Sequence, residues 1–316
     1  MIVTDPLLAV DVIADARLCA IPTETVYGLG AHACNEKAIA AVFEAKGRPR
    51  NHPLIVHIPS LDSATAWVSS LPEWARELGQ RFWPGPVTLV GARTSLALDT
   101  VTGQQDTVAI RVPNHPLTLT VLETLWARGI PGVVAPSANR FGHVSPTTAE
   151  HVQADLGEYL HHHRGVILDG GPSLIGVEST IVLATGQSPV VLRPGGVTRK
   201  MIAEATGLNV TEPQNPPRVS GHLDSHYAPD AHVILLNDSD EIPESPGGLI
   251  AFREVSTPAH LVRLAAPLTI EDYAADLYSA LRQADIDGLG SVYVVLPHEE
   301  GLAEAIRDRL GRAAFN

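Results

Sequence analysis

The sequence predicts a mixed α/β (α+β) protein, in which a twisted mixed sheet with flanking helices is followed by a second, small α/β domain. Three observations support this fold class. Short apolar runs alternate irregularly with helical patterns, a proline-rich stretch interrupts them, and the chain beyond that stretch is acidic. With 316 residues, 45% hydrophobic and 18% charged, the chain can bury a substantial core and is not generally disordered.

The first part of the chain combines strand-like runs with helical patterns. The predicted strands are residues 18–22, 54–58, 87–91, 108–112, 132–135, 165–168, 179–183 and 190–192. The predicted helices are residues 7–16, 36–45, 72–82, 116–127 and 148–156, with a closing helix at residues 198–205. Because helices separate only some of the strands, we expect a mixed sheet.

Proline density predicts the domain organisation. Three of the six residues from 212 to 217 are prolines, which remove backbone donors and block helix formation. We therefore predict a large first domain at residues 1–207 that could carry catalysis, an extended linker at residues 208–229 and a small acidic α/β domain at residues 230–316. In the last domain the predicted strands are residues 232–236, 248–252 and 291–296, and the predicted helices are residues 270–284 and 301–313.

Charge and cysteine content exclude several classes of protein. The net charge is −13, so the chain as a whole would repel a nucleic-acid backbone, and we predict no stable nucleic-acid binding. Cys19 and Cys34 lack metal-binding spacing, and neither a disulfide nor a zinc site is predicted. No signal-peptide pattern and no run of membrane-spanning length occurs, so we expect a soluble cytoplasmic protein without membrane contact.

Lys46 is one of three lysines in a chain that contains nineteen arginines, and Arg48 follows two residues later. An ammonium beside a guanidinium suits the oxygens of a polyphosphate. Helix capping explains the same segment, and for this tetrapeptide alone it is the favoured interpretation. Asn35 could cap a helix that places Lys46 at its negative end, with Gly47 as the left-handed residue after it and Pro49 as the stop.

Polar residues gather where predicted strands end. Residues 22–30 form a predicted polar loop that lacks the spacings of a dinucleotide or P-loop motif. Ser137 and Asn139 alternate after an apolar strand, so their side chains can point to one side. The pattern from Thr147 to Glu150 is typical of a capping box for the next helix, which we favour over a functional role.

Two arginines, Arg111 and Arg193, also lie at strand ends. A buried guanidinium needs an anion, and the spacing leaves open whether a protein carboxylate or a ligand provides it. Ser179 opens a strand, where it is either functional or an ordinary strand residue. Residues 161–163 are consecutive histidines, which cannot all bind one metal ion, so a solvated turn is the favoured interpretation.

Taken together, these segments resemble the YrdC family of threonylcarbamoyl-AMP synthases. The agreement covers residues 22–30, 46–58, 109–116, 136–142 with 145–147, 176–182 and 192–195 in one order. The family's Lys-x-Arg and Ser-x-Asn patterns are matched by Lys46, Arg48, Ser137 and Asn139. The linker and acidic tail resemble the two-domain form, so the resemblance extends over nearly the whole chain. It implies a YrdC-like first domain and a Rossmann-like second domain.

The resemblance implies a nucleotidyltransferase that joins L-threonine, bicarbonate or CO2, and ATP into threonylcarbamoyl-AMP and pyrophosphate. A downstream tRNA threonylcarbamoyl-transferase would then modify the adenosine beside the anticodon. Mg²⁺ is expected as a cofactor held mainly by ATP phosphates, without a protein metal site. The matching positions assign L-threonine to Thr25, His57, Arg111 and Ser179. They assign ATP to Lys46, Arg48, His52, Thr107, Ser137, Asn139, Ser145, Arg193 and Tyr227, with Lys46 and Arg48 as the catalytic cations.

Two departures from the family pattern stand out. His52 occupies a position where the family commonly has asparagine, so its hydrogen bond would depend on pH. The linker segment before Tyr227 lacks the usual basic pair, which predicts a looser, partly mobile lid. An RNA-binding module and a carbamoyl-transfer module of the hydrogenase-maturation kind are the rival interpretations. Overall acidity argues against the first, and missing accessory segments argue against the second.

Overall fold

The computed structural model describes residues 1–213, 216–221, 227–237, 240–298 and 300–315, and places them in two β-sheets. The larger sheet is built from the first part of the chain and the smaller sheet from the acidic C-terminal part. Helices flank both sheets. This arrangement confirms the predicted fold class.

The larger sheet is mixed, with strand order β1-β9-β2-β3-β8-β4-β7-β6-β10-β11 and with β5 paired to β6. Its strands are β1 (Ile2–Val3), β2 (Cys19–Ile21), β3 (Gly28–His32), β4 (Ile55–His57), β5 (Val68–Ser70), β6 (Val87–Arg93), β7 (Thr107–Arg111), β8 (Val133–Val134), β9 (Val166–Leu168), β10 (Thr180–Leu183) and β11 (Val190–Arg193). Strands β4 and β7 are parallel neighbours, and their last residues, His57 and Arg111, lie opposite each other. The sheet therefore brings two predicted site residues to the same edge.

The helices around the larger sheet are α1 (Pro6–Ala14), α2 (Glu36–Lys46), α3 (Glu73–Phe82), α4 (Asp99–Thr102), α5 (Pro116–Ala127), α6 (Ala149–His162) and α7 (Arg199–Thr206). A 3₁₀ turn covers Asp62–Ala66. Within the described ranges, every helix is too short or too polar to cross a membrane.

The smaller sheet is entirely parallel, with strand order β12-β15-β13-β14. Its strands are β12 (His232–Leu236), β13 (Gly247–Ile250), β14 (Leu261–Ala265) and β15 (Ser291–Val295). Helices α8 (Ile270–Ile286) and α9 (Leu302–Ala313) pack against each other and against this sheet. The C-terminal part is therefore a small α/β unit, as the sequence predicts.

The structure corrects the prediction of a polar loop at residues 22–30. Gly28–His32 is strand β3, which pairs antiparallel with β2. The sequence of this strand has little apolar character, but its glycines allow the two backbones to approach closely. A Cβ at Gly30 would lie 2.7 Å from the carbonyl oxygen of Cys19. Strand β14 was also missed, because Arg263 interrupts its short apolar run.

The structure also corrects the start and end of α6. Its N-cap is Thr148, whose Oγ1 accepts a hydrogen bond from the backbone of His151 at 3.3 Å. The capping box predicted from Thr147 to Glu150 is therefore wrong by one residue. At the other end, Leu160 continues the buried face of the helix, so residues 161 and 162 belong to its last turn. These histidines are solvent-exposed, as expected, but they are not in a loop.

Helix α2 has the caps that the sequence predicts. Asn35 accepts hydrogen bonds from the backbone of Lys37 and Ala38 at its N-terminus. Gly47 follows the helix in the left-handed conformation, with φ of 64°. Lys46 is thus the last helical residue, where the partial negative charge of the helix end favours a cation.

The C-terminal unit packs directly on loops of the first part of the chain. Gly176, in the loop before β10, approaches α8 so closely that a Cβ would lie 2.2 Å from the carbonyl oxygen of Ala274. Arg282 of α8 forms a two-pronged ion pair with Asp155 of α6, at 2.6 and 3.0 Å. The two parts of the chain are therefore in direct contact. The domain boundaries at residues 207 and 229 stay a prediction.

We predict that Gly30→Ala lowers the free energy of unfolding by about 1–3 kcal/mol, because the added methyl would force β2 and β3 apart. Chemical denaturation of the full chain measures this change. Gly311→Ala in α9 is the matched control, because the described residues leave that position open. It should be neutral or stabilising by up to about 1 kcal/mol. Equal losses in both variants would contradict the close approach of the strands.

Candidate active site

A cavity lies where β4, β7 and β8 end, between the loop after β2, the loop before β10, and the linker. We call it the main cavity. The predicted site residues that line it are Thr25, Arg48, His57, Arg111, Ser137, Ser179, Arg193 and Tyr227. Residues distant in sequence are therefore brought together around one space.

Arg111 has a carboxylate partner within the protein. Its Nη2 lies 2.7 Å from Glu24 Oε1, and both side chains are about 95% buried. Glu24 is held in turn by the backbone N–H of Asn114, at 3.0 Å from Oε2. Arg111 Nε donates to the carbonyl of Gly85 at 3.3 Å. The described contacts of Arg111 use Nε and Nη2, so the other arm of the guanidinium is available to a ligand.

His57 stands beside Arg111 and is almost completely buried. Burial, and then the positive charge of Arg111, lower the pKa of His57 to about 3. The imidazole is therefore neutral near pH 7 and can accept a hydrogen bond on one nitrogen. No described residue satisfies its buried Nδ1.

Hydroxyl groups complete this end of the main cavity. Ser179 Oγ lies 2.8 Å from the hydroxyl of Thr88, and Thr25 Oγ1 lies 2.9 Å from that of Thr23. Hydroxyls can donate or accept as a ligand requires. Together with the free arm of Arg111 and neutral His57, they form a polar end suited to a small zwitterion.

The other end of the main cavity contains two buried guanidinium groups, those of Arg48 and Arg193. Arg48 Nη2 donates to the carbonyl of Pro53 at 2.9 Å and to Ser220 Oγ at 3.2 Å. Arg193 Nη1 donates to the carbonyl of Ser220 at 3.0 Å, and its other nitrogens donate to Ser179. Across the described ranges, neither arginine forms an ion pair. Two buried cations without a carboxylate partner point to an anionic ligand.

Lys46 lies behind the wall of the main cavity. Its Nζ donates to the carbonyls of Ser137 and Asn139, both at 2.6 Å. Burial, and then repulsion by Arg48, lower the pKa of Lys46 well below its usual value. Through these two hydrogen bonds Lys46 fixes the loop that presents Ser137, and its predicted contact with phosphate stays a prediction.

The remaining predicted residues also lie outside the wall of the main cavity. Asn139 donates to the carbonyls of Arg140 and His143, at 2.8 and 2.7 Å. His52 packs edge-on against Phe141, with 5.5 Å between ring centroids, and Thr107 lines a smaller neighbouring cavity beside residues 218–220. Their predicted roles in ATP binding stay predictions.

Ser145 connects to a residue that the motif analysis quoted but did not assign. Its hydroxyl donates to Glu178 Oε1 at 2.6 Å, and Glu178 lines the main cavity. Burial alone would raise the pKa of Glu178, but Arg309 and Arg193 outweigh it and lower that pKa to about 2. Glu178 is therefore a carboxylate in the physiological range. Its position in a polar segment before a strand was the signal that could have identified it.

Tyr227 lines the main cavity from the linker and is buried against the C-terminal unit. Its ring stacks on Tyr278 of α8, with centroids 5.7 Å apart and planes at 19°. Arg309 and Tyr278 also contact Glu178, although no motif marked either residue. The linker residues 222–226, on which the prediction of a looser lid depends, lie outside the described residues.

The fold and the main cavity define a mixed α/β protein in which buried cations line one cavity. The chain belongs to the Sua5/YciO/YrdC family. The family model with that name, described as "Telomere recombination", matches residues 11–195. The model described as "Threonylcarbamoyl-AMP synthase, C-terminal domain" matches residues 197–315.

Full-length relatives support this assignment. The threonylcarbamoyl-AMP synthase of Pyrococcus abyssi is 37% identical over 324 residues, which cover 97% of this chain and 93% of the relative. The enzyme of the same name from Bacillus subtilis is also 37% identical, and the alignment covers 98% of this chain and 93% of the relative. The structure of P. abyssi Sua5 complexed with L-threonine is 33% identical, with a TM-score of 0.85 over 99% of this chain and 97% of that chain.

We predict that His57→Gln reduces the pH dependence of stability. The pKa of His57 is about 3 in the folded protein and about 6.5 when unfolded, so the unfolded chain binds the proton first and stability falls as pH decreases below 6.5. Removing the imidazole should reduce the slope between pH 5 and 6 by about 1.4 kcal/mol per pH unit. Urea denaturation at several pH values measures the slope.

His151→Gln provides a comparison outside the main cavity. Burial, and then Arg282, lower the pKa of His151 to about 4, so this variant should show a similar reduction. An unchanged slope in His57→Gln would show that the imidazole is not held neutral.

Proposed function

We propose that this protein synthesises threonylcarbamoyl-AMP and pyrophosphate from L-threonine, bicarbonate or CO2, and ATP. The family membership, the full-length relatives of that name and the likeness to a threonine-bound structure support the proposal. The product would then be passed to a tRNA threonylcarbamoyl-transferase that modifies the adenosine beside the anticodon. We propose the cytoplasm as the place where this protein acts.

The observation that carries the proposal is the division of the main cavity into two chemically different ends. At one end, the free arm of Arg111 would bind the carboxylate of threonine, while His57, Thr25 and Ser179 would contact its polar groups. At the other end, Arg48 and Arg193 would bind the phosphates of ATP. A substrate with one carboxylate and a substrate with a polyphosphate would thus be held in one space.

The proposed reaction needs no covalent enzyme intermediate. The threonine amine attacks CO2 and loses a proton, which gives an N-carboxylate. An oxygen of that carboxylate attacks the α-phosphorus, the bond to the β,γ-phosphates breaks, and pyrophosphate leaves. The contribution of the protein is to position the reactants and to stabilise negative charge, through Arg48 and Arg193 in the wall and Lys46 behind it.

The residues around the main cavity fit a magnesium ion bound through the substrate. The carboxylates near the main cavity are Glu24 and Glu178, and each forms an ion pair with an arginine. The described residues contain no group of three or more histidine, cysteine or acidic side chains able to hold a metal ion. Mg²⁺ would therefore be held by ATP phosphate oxygens and water, where it would neutralise phosphate charge. Lys46, His52, Thr107, Asn139, Ser145 and Tyr227 complete the proposed ATP-binding set.

We predict that pyrophosphate release from ATP requires both L-threonine and bicarbonate, and that Lys46→Ala reduces its rate by about a hundredfold or more. Loss of the ammonium would remove both a cation near the phosphates and the support of the loop carrying Ser137. A coupled pyrophosphate assay measures the rate, with thermal unfolding recorded in parallel.

Lys37→Ala is the matched control, because Lys37 is an exposed lysine on the same helix. Its rate should equal that of the wild type. Pyrophosphate release that is indifferent to threonine would refute the proposed function, and a fully active Lys46→Ala would refute the role of the lysine.

A further inference from the structure

A chain of buried contacts connects the last helix of the protein to the main cavity. Arg309 in α9 is fully buried, and its Nε donates to Glu178 Oε2 at 2.7 Å. Its Nη2 donates to the carbonyl of Pro194 at 2.9 Å, and its guanidinium carbon lies 5.3 Å from the ring centroid of Tyr227. Glu178 and Tyr227 both line the main cavity, so Arg309 acts on two of its walls from behind.

The position of Glu178 matters because of Arg193. These two side chains lie within electrostatic reach of each other, and Arg193 is one of the cations proposed for the ATP phosphates. The described hydrogen bonds of Arg193 go to neutral oxygens of Ser179 and Ser220. A carboxylate free to turn towards Arg193 would neutralise the charge that the nucleotide needs.

Glu178 is prevented from turning by three donors. Ser145 donates to one of its oxygens at 2.6 Å, and Tyr278 donates to the other at 2.9 Å. Of the three, Arg309 alone carries a charge. It therefore compensates the carboxylate within the low-dielectric interior, whereas the two hydroxyls only orient it.

We propose that Arg309 is a positioning residue for ATP: it fixes the Glu178 carboxylate and so leaves the charge of Arg193 available to the nucleotide. This inference rests on the proposed function in taking ATP as the anion. Arg309 itself would touch no substrate. A role of this kind makes the C-terminal unit part of the active site rather than a passive neighbour.

The proposal predicts a pH signature. The charged or titratable groups that act on Glu178 are Arg309, Arg193, Tyr227 and Tyr278, and Asp308 pairs with Arg309 behind them. Burial raises the pKa of both tyrosines, so they are neutral below pH 8. Without Arg309 the largest charge contact that lowers the pKa of Glu178 is lost, while Arg193 and the Ser145 hydroxyl still lower it. The carboxyl group would therefore take up its proton at a higher pH than in the wild type.

The test is the dissociation constant for ATP, measured by titration calorimetry on the full chain between pH 5.5 and 8. Arg309→Gln should weaken binding on the order of tenfold at pH 8, as expected for loss of one charge contact. The dissociation constant of the variant divided by that of the wild type is independent of the ionisation of ATP itself. This ratio should decrease towards pH 5.5, where Glu178 loses its negative charge. Arg309→Gln combined with Glu178→Gln should restore most of the affinity at pH 8.

Arg199→Gln is the matched control. Arg199 of α7 forms an ion pair with Glu304 of α9, with 3.0 Å between Nε and Oε1. It therefore also connects the two parts of the chain, but it lies outside the wall of the main cavity. Its ATP affinity should equal that of the wild type. A loss in Arg309→Gln that is the same at every pH and persists in the double variant would overturn the proposal, because packing alone would explain it.

If Arg309→Gln does not fold, Arg309→Lys carries the test, because it keeps the charge beside Glu178. A folded Arg309→Lys should lose less than about threefold in affinity with a flat ratio across pH, and a tenfold loss would overturn the proposal. The two claims remain separable. A wild type that binds ATP without threonine-dependent pyrophosphate release would refute the proposed function, while the affinities would still decide the role of Arg309.

Discussion

Several buried cations surround one cavity, and their mutual repulsion is the constraint on which the site depends. Two of them, Arg111 and Arg309, are compensated by carboxylates. Lys46, Arg48 and Arg193 donate their described hydrogen bonds only to neutral oxygens, mostly backbone carbonyls. Those carbonyls belong to loops that the cations hold in place. The protein thus organises its loops around positive charge that is only partly neutralised, and an anionic substrate would complete the neutralisation.

This arrangement also divides the main cavity electrically. The end that contains His57 is nearly neutral, because the imidazole is uncharged and Arg111 is paired with Glu24. The end that contains Arg48 and Arg193 keeps its positive charge. A zwitterion and a polyanion are therefore distinguished by local charge balance, without a separate pocket for each.

Much of the fold could be predicted from sequence, because its strands are continuous apolar runs and its helices have local caps. Asn35 and Gly47 determine the limits of α2 through neighbouring backbone groups, so the sequence nearby was sufficient. Strand β3 could not be predicted, since its formation depends on contact between glycines and a strand elsewhere in the chain. The motif order indicated which residues line the site. It did not indicate that Lys46 lies behind the wall, nor that Arg309 reaches Glu178 from a distant helix, because no local pattern encodes such contacts.

The close approach at Gly176 restricts which C-terminal units could replace the present one. The backbone there touches α8 with no space for even a methyl group, so the seam between the two parts of the chain is a matched surface. A C-terminal unit taken from a relative would need the same shape at α8 and a cation at the position of Arg309. A unit with a different contour at α8 would clash with the Gly176 backbone, so a replacement has to match this seam as well as fold.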